Sequence, residues 1–361
     1  MLKIVQYGVH DVTYPRNARV RAAFQDRFDA EVVVVTQSRA SSRLRRIRQD
    51  LHGLWRASAG ADVVMLAEMR LTHAPLVWLV GRLRRAVVVI DRFIGLHETA
   101  VEDWGSVAAG STRARRLALQ DAIATGLGDL VVTDTAVRAR ALSAVTGREV
   151  LDLPVGAPAW AGSTAPIRPG SRLRVLYYGN YIPLHGTELV VDALAELTAT
   201  RRFTATFVGN GVRRAAIEQR AAELGLRGRI TFLDAVSESE LAELVERHHV
   251  VLGVFGSSTK ATSVVANKVW QGLAAGRVVV TQRSAAVEEL ARIAGPLLVQ
   301  TDPGSAHAIT SALADIELDA LTTDSARAHT AQLAARLEDF VAVRFDRFSR
   351  RLAALVAGGP R

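Results

Sequence analysis

The sequence predicts an α/β protein made of two doubly wound domains facing across a cleft, with a helical C-terminal tail. Three observations predict it. Short runs of β-branched and apolar residues recur without polar alternation, as in parallel strands covered on both faces. Stretches of helical length separate them. One break, APAWAGSTAPIRPGSRL (157–173), holds three prolines and two glycines and starts a second series of the same kind.

The first series opens with LKIVQYG (2–8). It continues with AEVVVVT (30–36), DVVMLAE (62–68), RAVVVID (85–91), DLVVTD (129–134) and EVLDLP (149–154). The second runs RVLYYG (174–179), TATFVG (204–209), RITFLD (229–234), VVLGVFG (250–256), RVVVTQ (277–282) and PLLVQT (296–301). Its helices are expected at 186–198, 212–224, 238–248, 267–275 and 285–294, and the tail is helical over 327–356. Two strand–helix series joined by a hinge make two Rossmann-like domains, at 1–157 and 173–335, with a linker at 158–172 and a final helix within 336–361. Such sheets bind ligands beyond the carboxyl ends of their strands, where strand order reverses. The segments just after each strand are therefore the ones to inspect.

Composition narrows the classes. A chain of 361 residues with 49% apolar and 22% charged side chains can bury sizeable cores. Cysteine is absent, which excludes disulfides, zinc–thiolate sites and thiol nucleophiles. MLKIVQYGVHD is not a signal peptide and no run is long enough to span a bilayer, so a cytoplasmic location is expected. The net charge of +9 fits nucleic acid, an anionic membrane or an anionic small substrate. Arginines crowd into 38–57 and 81–86. In the first stretch Leu44, Ile47, Leu51, Leu54 and Trp55 recur at helical spacing among Arg43, Arg45, Arg46 and Arg48. That pattern is a basic amphipathic helix, either a membrane-surface contact or a solvated helix with one face on the core. Aromatic–basic interleaving and nucleic-acid module signatures are lacking, which argues against nucleic acid.

Lysine usage marks one stretch. Only three of the 45 basic residues are lysines, and Lys260 and Lys268 both fall in STKATSVVANKVWQG (258–272). A compact ammonium and a planar guanidinium are not interchangeable. The loop carries Ser258, Thr259, Lys260, Thr262 and Ser263 and meets a helix at Asn267 and Lys268. Hydroxyls, a helix N-terminus and two ammonium groups suit a diphosphate, and an ordinary solvated loop is the plain alternative. Gly179, Asn180 and His185 follow the first strand of this half, and Gly209, Asn210 and Gly211 follow the second, each group opening a helix. A single G-x-G is only half a dinucleotide fingerprint. In the first half His10, Arg16 and Asn17 follow a strand at the expected cleft. Asp91, Arg92, His97 and Glu98 follow another, with Asp91 and His97 as the catalytic candidates and a strand-end cap as the alternative for Asp91. His248 and His249 lie at a helix end and suit a capping pair. No His, Asp or Glu cluster has metal-ligand spacing, so no metal and no cofactor is expected.

Taken in order, GNYIPLHG, FVGNG, RITFLDAVSESELAELVERHHVVLGVF and NKVWQGLAAGRVVVTQRSAAVEEL resemble the carboxyl-terminal half of retaining glycosyltransferases of the family-four, group 1 type, over 173–316. YPRN, with Tyr14, Arg16 and Asn17, and the segment DLVVTDTAVRARAL resemble that family's acceptor domain more loosely. The resemblance implies a GT-B fold and a nucleoside-diphosphate sugar held by the second domain. It also implies an acceptor on the first domain and a final helix that crosses back to the first. Family members carry two glutamates with seven residues between them; here Ser263 and Gln271 stand at those positions. Gln271 would address the ribose, and Lys260 and Lys268 the diphosphate. Two other readings stay open: a nucleotide-sugar epimerase on the same fold, and a non-catalytic sugar-nucleotide-binding or partner protein.

Overall fold

The computed structural model describes residues 1–38 and 42–359. Arg39, Ala40 and Ser41 of the arginine-rich stretch, the side chain of Arg43, and Pro360 and Arg361 lie outside the described residues. The chain divides into two compact units, Met1–Val155 with Val341–Arg361, and Gly156–Phe340.

In the first unit the strands are β1 (Lys3–Val9), β2 (Glu31–Thr36), β3 (Val63–Leu66), β4 (Val87–Asp91), β5 (Leu130–Thr133) and β6 (Val150–Asp152). They form one parallel sheet in the order β2-β1-β3-β4-β5-β6, so the strand order reverses between β1 and β3. Its helices are α1 (Pro15–Phe28), α2 (Arg43–Ala57), α3 (Ala74–Arg84), α4 (Thr112–Leu127) and α5 (Ala136–Thr146). The Val/Ile-rich strands are buried because helices cover both sheet faces. Val5, Tyr7, Val64, Leu66, Val88 and Ile90 line one face and meet Leu54 of α2, Val77 and Val80 of α3, and Ala124 of α4 in a single cluster. Those three helices therefore share one layer.

The second unit begins at the short helix α6 (Ala159–Gly162) and holds β7 (Leu173–Tyr178), β8 (Phe203–Val208), β9 (Ile230–Leu233), β10 (Val250–Leu252), β11 (Val278–Gln282) and β12 (Leu298–Thr301). The parallel order β12-β11-β10-β7-β8-β9 reverses between β7 and β10. The helices are α7 (Thr187–Leu197), α8 (Arg214–Glu223), α9 (Glu238–Arg247), α10 (Asn267–Ala274), α11 (Glu288–Ala294) and α12 (Ala306–Ala314). The Pro-rich stretch is not loose chain: Ala161 and Ile167 are buried, and Arg277 donates to the Ala165 carbonyl.

The last helix, α13 (Asp324–Gly358), belongs to both units. Leu333 and Leu337 are buried within the second. From Val341 on, the Phe348 ring lies 5.8 Å from that of Phe24, tilted by 45°, and Arg344 pairs with Asp152 at 2.8 Å, both within the first. Among the described residues no helix is long and apolar enough to cross a membrane.

The histidine pair after α9 is structural. His248 bonds the Leu244 carbonyl through Nδ1 at 2.6 Å and closes the helix end. The backbone N–H of Arg174 donates to His249 Nδ1 at 3.1 Å, while Nε2 lies 3.1 Å from the Arg168 carbonyl. Burial, aided by the Arg174 cation, pushes His249 down from 6.5 to about 4. The fold thus holds the neutral ring, while the unfolded chain takes up a proton below about pH 6.5. Stability contributed by this site is full above that pH and falls as pH drops toward about 4, by on the order of 3 kcal/mol. Denaturant titrations across that window should show the loss, and His249→Asn should flatten it.

Candidate functional site

In the second unit the switch point brings together three segments: 179–186 after β7, 209–213 after β8 and 253–266 after β10. Backbone hydrogen bonds join the first to the third, from Phe255 N to His185 O at 3.2 Å and from Gly256 N to Leu184 O at 3.1 Å. The second presses on the first. A Cβ on Gly209 would lie 2.2 Å from the Gly179 carbonyl oxygen, and one on Gly211 1.8 Å from that of Asn180. These glycines are thus required by loop-on-loop contact, whatever ligand approaches them. Tyr181, inside the first segment, is held at φ 46, an uncommon conformation for a large side chain.

Lys268, at the second position of α10, is 3% exposed. Its Nζ lies 4.3 Å from the centre of the Tyr177 ring and makes no hydrogen bond among the described residues. Burial holds its ammonium well below the ordinary lysine range. The same burial, with the Lys268 charge added, keeps His185 neutral; its Nδ1 lies 2.8 Å from the Tyr177 hydroxyl. Tyr181 Oη, Thr187 Oγ1 and Gln282 Oε1 are also buried and without hydrogen-bond partners among the described residues. Buried polar atoms are nearly always paired, so the unpaired Nζ of Lys268 needs an explanation. The first turns of α7 and α10 add backbone donors. Gly186 and Ala266 precede them, and neither end carries a side-chain cap.

Gln271, one turn after Lys268, accepts a hydrogen bond from Tyr178 at 2.8 Å through Oε1. Its amide nitrogen makes none among the described residues, so it offers a donor to a ligand.

Several expected contacts go elsewhere. Ser258 Oγ accepts from Ala261 N at 3.2 Å, Thr262 donates to Thr259 O at 2.9 Å, and Ser263 donates to Lys260 O at 3.1 Å. These hydroxyls brace their own turn. Lys260 is half-buried in that turn, Thr259 is exposed, and Asn267 is half-buried at the start of α10. Asn210 accepts from Arg214 at 2.6 Å, which ties the glycine turn to α8.

In the first unit, Arg16 and Asp91 form a buried two-bond pair, Nε–Oδ2 2.7 Å and Nη2–Oδ1 2.8 Å. Arg16 also donates to Leu153 O and Thr133 O. With both carboxylate oxygens engaged by a fixed cation, Asp91 anchors the sheet and is not placed to move a proton. Asn17, 2% exposed, donates to Glu68 at 2.9 Å and to the Asp11 carbonyl at 3.1 Å, so neither Arg16 nor Asn17 reaches outward. Arg92 pairs inward with Asp121 at 3.0 Å, and Glu98 with Arg138 at 2.6 Å. His97 stays half-exposed, its Nδ1 3.3 Å from Glu102. Tyr14 is half-buried, its ring 6.4 Å from Phe93. His10 is exposed and lines a cavity of about 500 Å³ with Asp11, Val12, Thr36 and Gln37, at the carboxyl ends of β1 and β2.

Sequence reasoning missed Tyr177, Tyr178, Thr187, Gln282 and Glu68. The adjacent tyrosines in an otherwise aliphatic strand were the available signal. Glu68 is fully buried, and burial with the nearby Asp91 charge pushes its carboxyl up. No group of three or more His, Asp or Glu that could hold a metal ion occurs among the described residues.

Residues 172–316 match the family model described as glycosyl transferases group 1. No curated protein sequence matches the chain. Among solved structures, Anabaena HepE in complex with UDP and glucose has a TM-score of 0.66 at 16% identity, over 98% of this chain and 100% of its own. Sucrose-phosphate synthase from Thermosynechococcus elongatus has 0.67 at 15%, over 98% and 100%. WaaG, a glycosyltransferase involved in lipopolysaccharide biosynthesis, has 0.61 at 14%, over 95% of each chain. The two-unit fold is thus that of GT-B proteins along its full length.

Proposed function

We propose that this chain, whose residues 172–316 form a group 1 glycosyltransferase domain, moves a sugar from a nucleoside diphosphate to an acceptor hydroxyl with retention at the anomeric carbon. The observation that carries the reading is the buried amino group of Lys268, which makes no hydrogen bond among the described residues, near two uncapped helix N-termini. When the bond between sugar and diphosphate breaks, the electron pair leaves with the diphosphate. Fixed positive groups at that position stabilise the departing charge. Lys268 would exchange the Tyr177 ring for a phosphate oxygen, and the first amides of α7 and α10 would donate to the same anion. Gln271, oriented by Tyr178, donates to the ribose. Transfer on one face lets the departing phosphate oxygen take the acceptor proton, so no strong protein base is required. The diphosphate charge then falls to these protein groups and not to a bound metal.

The acceptor is proposed to enter beside His10, at the cavity of the first unit; His97, after β4, is the remaining candidate for proton transfer. Peripheral attachment to an anionic membrane face on the cytoplasmic side belongs to the same reading. An epimerase needs acid–base carboxylates at the sugar, and segments 179–186, 209–213 and 253–266 contain neither Asp nor Glu. The transferase reading is therefore preferred.

Thermal shifts with UDP, GDP, ADP and dTDP test it, UDP first because HepE of the same fold was solved with UDP-glucose. One nucleotide should stabilise the protein by about 2.7 kcal/mol at a hundred times its Kd. Gln271→Leu should weaken that nucleotide about tenfold, the loss of one hydrogen bond in a buried site. With the matching nucleotide sugar, slow hydrolysis should release a sugar of retained anomeric configuration. Interconversion of two nucleotide sugars would favour the epimerase, and binding without turnover of any donor, with or without acceptors, the non-catalytic protein.

A further inference from the structure

We infer that the outer face of helices α2, α3 and α4 in the first unit docks on the surface of a bilayer rich in anionic phospholipid. The inference rests on the proposal of peripheral attachment, to which it gives a surface, and not on the transferase chemistry.

The three helices form one layer, because their inner residues meet the same sheet face in one cluster. Their outer sides are therefore a shared surface. On α2 the periodic apolar stripe does not face the core: only Leu54 does, fully buried, with Asp50 beside it. Leu44, Ile47, Leu51 and Trp55 point to solvent, Leu44 at 76% exposure. Leu79 and Leu83 on α3, and Leu119 and Ile123 on α4, are exposed one turn apart in the same way. The ends of α2 and α3 are pinned together by Arg84, whose Cζ lies 3.8 Å from the Trp55 ring centre and which donates to the Trp55 carbonyl at 3.1 Å. Among the described residues, 14 of the 16 exposed large hydrophobics lie in the first unit, although the two units are of similar size. Contiguous exposed apolar surface of this kind marks an interaction site.

Charge selects the partner. The first unit holds 27 Lys and Arg against 17 Asp and Glu, the second 18 against 19, so the whole positive excess belongs to the first. Helices α2, α3 and α4 contain just two carboxylates, Asp50 and Asp121. Both are buried and paired inward, with Arg70 at 2.5 Å and Arg92 at 3.0 Å. The surface is thus leucine, isoleucine and tryptophan among Arg45, Arg46, Arg48 and Arg116, all four exposed, without a counter-charge of its own. Such a face suits the boundary between headgroups and acyl chains, where aliphatic groups enter and guanidinium groups reach phosphates. A second copy fits poorly, because a twofold contact would set arginines against arginines. Nucleic acid fits poorly too, since the exposed apolar groups are aliphatic apart from Trp55, and Arg84 already covers that ring.

Flotation of the full chain with vesicles tests the inference. Wild type should float with phosphatidylcholine–phosphatidylglycerol vesicles and stay in the aqueous fraction with phosphatidylcholine alone. Replacing Arg45 and Arg48 by Glu should weaken attachment at least about tenfold, since each cation near the surface contributes about 1 kcal/mol. Leu44→Ser with Leu51→Ser should remove the attachment that survives high salt, where charge attraction is screened. Leu224→Ser, at an exposed position of the second unit outside the donor segments, should leave flotation unchanged. All these positions are exposed, so melting should match wild type; if a double variant melts early, Leu44→Ser alone repeats the test. The inference fails if wild type does not float on anionic vesicles, floats equally on neutral ones, or if the α2 variants float as wild type does. It fails equally if the α2 variants lose a dimer or an oligonucleotide complex while vesicle flotation is unchanged.

Discussion

Lys268→Met is expected to lower the affinity for the matching nucleoside diphosphate about ten- to a hundredfold, the range for losing a hydrogen bond to a charged group. The same substitution should leave the unliganded protein at least as stable as wild type. The two effects have one cause. In the free protein the amino group is 3% exposed, lies over the Tyr177 ring and makes no hydrogen bond among the described residues. The unfolded chain protonates this lysine freely, whereas burial holds it well below its ordinary range in the fold. Below the ordinary lysine range the folded state is therefore penalised, increasingly as pH falls and fully once it is below the depressed value, and methionine of similar length removes the penalty. A bound diphosphate reverses the sign by favouring the charged form. Calorimetry in buffers of different ionisation enthalpy should accordingly find proton uptake on binding in wild type and less in Lys268→Met. Lys3→Ala, at the start of β1, should match wild type in both measurements. Equal nucleotide affinity in Lys268→Met and wild type would remove Lys268 from the donor site.

Asp91→Ala is expected to destabilise the protein by about 3–5 kcal/mol, the cost of leaving a buried cation unpaired. Arg16 is 1% exposed, and what remains to it is the carbonyls of Leu153 and Thr133, the Phe93 ring 4.7 Å away and the Asp134 charge. Removing both charges together, as Arg16→Met with Asp91→Leu, should recover much of the loss, because an apolar pair of similar volume needs no desolvation. Chemical denaturation of the two single variants and the double variant measures the coupling. A catalytic Asp91 would behave differently: Asp91→Asn would keep wild-type stability and lose turnover. Arg16–Asp91 spans 75 positions of sequence, and it positions β4 against the start of α1.

Much of the fold was legible along the chain. Valine- and isoleucine-rich runs separated by helical stretches need no partner to be recognised, because a strand covered on both faces is apolar at every position. The same logic identified the segments after β7, β8 and β10 as the places for chemistry. The roles of single residues there were less legible. Lys260 and Lys268 look alike in sequence, eight positions apart, yet one is half-buried in a turn and the other is buried against Tyr177. Ser258, Thr262 and Ser263 have the composition of a phosphate loop, and their hydroxyls are spent on local backbone. Gly209 and Gly211 match half a fingerprint, and what they admit is the backbone of 179–180.

The sequence by itself determined two doubly wound halves and an amphipathic arginine-rich helix within 38–57. Periodicity and composition are local properties, and these features depend on nothing else. Only the tertiary structure decided that Asp91 is held by Arg16, that Lys268 makes no hydrogen bond among the described residues, and that the stripe of α2 faces solvent. Each of these depends on which distant segment the sheet brings alongside. A helical wheel gives the spacing of Leu44, Ile47, Leu51 and Trp55, but the side of the helix that meets Val5, Val64 and Val88 is fixed by the crossover from β2 to β3.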